Sequence, residues 1–150
     1  MSFDHQFVLS DIGGGKWKNE LYKENRNDSI TLTSFYLTKT AWTKIQGTQN
    51  GEKVFELLKS QDVYCLAAMI FLCVTNLYPS CEKAPRNEIP KIDKTVRFLQ
   101  EQILENSSFF PKEGQKLLLD MLEDDPEKRP HIKEATIRWK DIFKKWTVSS

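Results

Sequence analysis

Apolar residues fall at helical spacing over the later part of the chain, and strand-like runs are confined to its beginning. Residues 6–10 (QFVLS) predict one short strand, and three successive glycines, Gly13 to Gly15, then break regular structure. Residues 16–29 are polar throughout and read as a surface loop, followed by a weakly alternating stretch, 30–37, that is a second candidate for extended structure. Residues 40–46 suggest a short helix, and residues 47–51 (GTQNG) have turn chemistry. Val54, Phe55, Leu57 and Leu58 then mark a short amphipathic helix over 52–59. Asp62 is placed to N-cap a separate helix over the apolar run 63–74, which is expected to be central because it is apolar all round. Leu66, Ile70 and Val74 are expected among its buried side chains.

Residues 76–90 form a linker rich in proline, asparagine and charge. Asp93 is expected to cap a helix with Val96, Leu99 and Ile103 on one face. Pro111 suits the first turn of the next helix, which carries Leu117, Leu118, Met121 and Leu122. Asp125-Pro126 and Pro130 stop it, and a last helix starts near Ile132 with Ala135, Trp139, Ile142, Phe143 and Trp146 as one stripe. The expected fold class is mainly α with one or two short strands.

Composition narrows the function. With 22 basic and 21 acidic side chains the net charge is +1, which argues against a nucleic-acid backbone binder. Three cysteines with no C-x-x-C spacing argue against a disulfide scaffold and suit a cytoplasmic protein with reduced thiols. The run 63–74 falls short of the roughly 18 residues that a bilayer crossing needs, so no membrane insertion is expected. Residues 1–6 carry no leader-like pattern. His5 and His131 have no second ligand at metal spacing and read as surface residues.

The order of several short motifs is informative. Val8-Leu9-Ser10-Asp11-Ile12-Gly13 resembles the strand and metal-binding Asp-Phe-Gly motif of protein kinases, with Ile12 in the phenylalanine position. Residues 34–40 look like the end of a kinase activation segment, where Ala/Ser-Pro-Glu is expected. Asp62-Val63-Tyr64-Cys65-Leu66-Ala67 resembles the Asp-Val-Trp-Ser-Leu-Gly start of the central kinase helix. The leucine-rich 117–122 followed by Asp125-Pro126-Glu127-Lys128-Arg129-Pro130 resembles the penultimate helix and loop of the kinase C-terminal lobe, and is the strongest single signal. Residues 1–150 therefore resemble a partial kinase-like C-lobe, from the activation segment through the last helix. Residues 11–40 are the activation-segment-like region and 62–146 the helical core.

The resemblance carries expectations for individual residues. Asp11 would be the magnesium ligand, a role that needs a carboxylate because magnesium is a hard cation, and Gly13 would complete the motif. By itself Asp11 also reads as a turn residue before glycines. Asp62 caps catalytic-loop backbone in the family and is expected here to cap its own helix. Arg129 pairs in the family with the glutamate of Ala-Pro-Glu, and the matching position here is Thr40. Arg129 is therefore expected to find another carboxylate, Glu52 or Glu56, or to be exposed, because an unpaired buried guanidinium is costly.

In kinases the glycine-rich loop, the strand lysine and the catalytic aspartate lie upstream of the Asp-Phe-Gly motif. Only ten residues precede Asp11, so these parts are expected to lie outside this chain. The expected function is that of a catalytically incompetent, pseudokinase-like module that binds another polypeptide, with no cofactor of its own. Uncovered apolar residues near Phe7, Leu9 and Ile12 are the first candidate contact, and Trp139 and Trp146 the second, although core packing is the plainer reading of the two tryptophans. The alternative is a piece of an active serine/threonine kinase, completed by an N-terminal region or second chain and then using Mg-ATP. A helical adaptor unrelated to kinases is the third reading.

Overall fold

The computed structural model describes residues 38–75, 92–105 and 109–148. These form five α-helices and one short 3-10 turn: α1 Lys39–Gly47, α2 Gly51–Thr75, α3 Ile92–Glu105, α4 Lys112–Met121, the turn Pro126–Lys128, and α5 Ile132–Val148. The described residues are mainly α and include no strand. The candidate strands 6–10 and 30–37 lie outside the described residues, as do Phe7, Leu9, Asp11, Ile12 and Gly13.

α1 starts at Thr38, whose extended backbone and side-chain oxygen make it an N-cap: Ala41 N–H donates to Thr38 Oγ1 at 3.2 Å. The turn after α1 holds the cap of the next helix. Lys53 N–H donates to Asn50 Oδ1 at 3.1 Å, and Asn50 N–H donates to Thr48 Oγ1 at 3.2 Å. Asn50 therefore starts α2, and Asp62 does not. The two helices expected over 52–59 and 62–74 are one helix of 25 residues, with Asp62 exposed near its middle. No glycine or proline interrupts residues 52–75. The polar step Ser60-Gln61-Asp62 looks like a helix end in sequence. In the fold, Ser60 and Gln61 serve the loop that packs beside them.

α2 is the central element, in contact with α1, α3 and α4, while α5 packs on α4. Tyr64, Ala67, Ala68 and Phe71 of α2 are fully buried with Leu99 and Ile103 of α3 and Leu117 and Leu118 of α4. The buried face differs from the expected one. Leu66 and Ile70 are half-buried at the edge of the core, and Val74 is 41% exposed. At 25 residues α2 is long and apolar enough to cross a bilayer by length and composition, and 44% of its most apolar stretch is buried within the domain, where α1, α3 and α4 pack on it.

Asp93 lies inside the first turn of α3 rather than before it. Pro111 is the N-cap of α4 and uses its carbonyl, which accepts Gln115 N–H at 2.9 Å. On α5, Ala135 is buried, Trp139 and Ile142 pack half-buried against the core, and Ile132 (39%) and Phe143 (53%) are largely exposed. The expected single buried stripe is thus only its middle portion. The Trp146 side chain lies outside the described set.

Candidate functional site

The loop between α4 and α5 is built to present one arginine inward. Asp125 caps the 3-10 turn, accepting Glu127 N–H on Oδ1 at 3.1 Å, and Pro126 occupies its first position. Arg129 follows and turns back into the domain, where it is only 7% exposed. Its Nε donates to Glu123 O at 2.7 Å. Nη1 donates to Ser60 O and Gln61 Oε1, both at 3.1 Å. Nη2 donates to Thr38 Oγ1 at 3.0 Å and to Asp124 O at 3.3 Å. The guanidinium also faces the Tyr64 ring, 5.0 Å from its centre.

This overturns the expectation of a carboxylate partner. Arg129 bonds to three backbone carbonyls, an amide and a hydroxyl, and to neither Glu52 nor Glu56. A fork of donors is satisfied here by dipoles rather than by a charge. Burial therefore dominates its acid–base behaviour and pulls the guanidinium down to about 10, with nearby Tyr64 and Asp124 acting in the opposite sense. Burial likewise pushes the Tyr64 phenol up, and its hydroxyl has no hydrogen-bond partner among the described residues.

A second layer of contacts holds α1 on the same loop. Thr38 Oγ1 donates to Asp124 O at 3.0 Å, and the Thr40 hydroxyl bonds the Asp124 carboxylate. Lys44 pairs with Asp125 Oδ1 at 2.6 Å and also with Glu127. Thr38, two residues before the position matched to the family's glutamate, is the residue that meets Arg129. Thr38, Gln61 and Lys44 escaped the sequence reading. Gln61, a polar residue at the edge of the longest apolar run, carried the clearest signal.

Beside this joint, the first half of α2 and residues 126–132 enclose an open cleft of about 490 Å³. Leu57, Val63, Leu66, Pro126, Pro130 and Ile132 supply apolar walls, with charged residues at the rim. Lys59 Nζ donates to both oxygens of Glu56 at 2.9 and 3.0 Å, and Lys53 lies 3.8 Å from Glu127. Asp62 also lines the cleft, but its carboxylate has no hydrogen bond or ion pair among the described residues. Though accessible, it stands against protein on one side, and this desolvation raises its pKa.

Trp139 sits elsewhere, against a narrow apolar crevice with Phe110, Pro111 and Ile142, so the structure does not join it to the Arg129 joint. Among the described residues no three histidine, cysteine or acidic side chains are grouped to hold a metal. Burial pushes the Cys65 thiol up to about 11, which leaves it a poor nucleophile at neutral pH. No protein-family model, curated protein or solved structure matches the chain.

Proposed function

We propose that this chain is a partial kinase-like C-lobe that works by binding another polypeptide and does not itself transfer phosphate. The observation that carries the reading is the Arg129 joint. An arginine in the loop before the last helix reaches the start of the segment before the central helix, which is the connection the resemblance implies. That its carboxylate partner is replaced by Thr38 supports a form of the lobe that keeps the architectural link and has lost the ion pair.

The rest of the reading concerns chemistry. Phosphoryl transfer needs a lysine on the nucleotide phosphates and an aspartate base beside the metal. In the family both lie upstream of the segment that this chain resembles; completed by an N-terminal region or a second chain that carries them, the lobe would bind Mg-ATP through Asp11. The pseudokinase-like role, the polypeptide partner and a cytoplasmic setting stand together in this proposal. Phe7, Leu9 and Ile12 are its first candidate contact, and Trp139 and Trp146 the second.

The direct test incubates the full chain with radiolabelled Mg-ATP and a general protein substrate. The reading expects no transfer and no change in melting temperature with millimolar Mg-ATP. Transfer that disappears in Asp11→Ala overturns it in favour of a catalytic kinase piece.

A further inference from the structure

The cleft beside the joint is lined by three cationic and three anionic side chains, and they are not all paired with one another. Glu56 and Glu127 at its rim are each matched by a lysine, and Arg129 is absorbed by neutral acceptors. Of the three carboxylates that line the cleft, Asp62 is the one with no ion pair among the described residues, and the apolar Val63 and Leu66 line the cleft with it. The cleft follows α2 from Lys53 to Leu66. At the rise of an α-helix this is about 20 Å, the reach of about six residues of extended chain. At the same end, His131 Nδ1 accepts Lys133 N–H at 3.2 Å, so in the neutral imidazole Nε2 carries the proton and can donate to a carbonyl.

We propose that this cleft docks an extended peptide segment of a partner protein, with an arginine or lysine seated on Asp62 and apolar residues on either side of it. The length favours a peptide over a small cation, and the unmatched carboxylate selects a basic residue over an acidic one. Apolar walls carrying a few polar groups are the usual make-up of a recognition cleft. The proposal rests on the reading of the chain as an interaction module and gives that module's partner a chemistry.

The test uses the full isotope-labelled chain and two synthetic hexapeptides, each leucine- and valine-rich. One has a central arginine and the other citrulline, its neutral isostere. The arginine peptide is expected to shift the amide signals of Asp62, Leu66 and Ile132, and to bind at least about fivefold more tightly than the citrulline peptide. In Asp62→Asn that preference disappears, while Ile132→Ser weakens both peptides alike. Both residues are exposed, and an unchanged far-ultraviolet spectrum and cooperative melt show that each variant folds. Equal affinity for the two peptides, a preference that survives in Asp62→Asn, or no binding at millimolar peptide overturns the proposal. So do nuclear Overhauser contacts showing another part of the same chain in the cleft. These outcomes leave the interaction reading standing, since that falls on phosphoryl transfer instead.

Discussion

Arg129 Nη2 donates to Thr38 Oγ1 at 3.0 Å across a sequence separation of 91 residues. The same hydroxyl caps α1 and donates to the Asp124 carbonyl. One threonine oxygen thus couples a helix start, a buried cation and the loop between α4 and α5.

Removing the arginine orphans several buried acceptors together. Arg129→Met is expected to cost about 3 kcal/mol or more, since each buried polar group left unsatisfied costs about 1–3 kcal/mol. Arg129→Lys recovers little of this, because an ammonium cannot reproduce the planar fork. Urea unfolding of the three proteins checks both statements. A wild-type midpoint in Arg129→Lys would show that charge alone suffices.

Thr38→Val keeps shape and loses the oxygen. It is expected to cost about 1–2 kcal/mol, the range for a lost N-cap, with the lost arginine contact placing it at the upper end. Thr38→Ser is expected to lie close to wild type. Denaturation midpoints rank the three, and a cost below that of an ordinary cap would mean Arg129 gains nothing from Thr38.

The sequence pattern located α1, α4 and α5 well, because each is amphipathic or has a clear start. It split α2, because a helix apolar on all sides offers no periodicity, and Ser60-Gln61-Asp62 imitates a boundary. Asn50, four residues before the first apolar position, Val54, is the true cap. The Arg129 site was half legible. The arginine stood out in its motif, but its partners are carbonyls and a threonine hydroxyl, which leave no mark in a sequence.

The redistribution of burial on α2 has a measurable consequence. Phe71→Ala is expected to cost about 3–5 kcal/mol, and half-buried Leu66→Ala about 1–2 kcal/mol. Val74→Ala is expected to stay within about 0.5 kcal/mol of wild type. A larger loss at Val74 than at Phe71 would contradict the placement of the helix.

Acid dependence follows from Lys44 and Asp62 with opposite signs. The hydrogen bond from Lys44 holds the Asp125 carboxyl below its ordinary 3.8, and Lys44 acts the same way on Glu127, ordinarily 4.5. The unfolded chain binds more protons at these sites, so their stabilisation is present above those values and is lost as pH falls through the lowered ones. Lys44→Met is therefore expected to melt slightly below wild type at neutral pH and to converge with it in acid, the size being small for a solvent-accessible pair. Asp62 is raised by desolvation, so the folded chain binds more protons there and its carboxylate opposes folding as pH rises past 3.8. Asp62→Asn is expected to be at least as stable as wild type at pH 7. Melting curves across pH 3–7 for both variants decide the two signs.

The central claim is that the chain works by engaging another polypeptide, with the region around Phe7, Leu9 and Ile12 as its first contact. Amide hydrogen exchange of residues 6–15, measured in the isolated chain and in its native assembly, tests this most directly. Exchange at these residues is expected to slow on assembly. Equal, fast exchange in both states would contradict the claim.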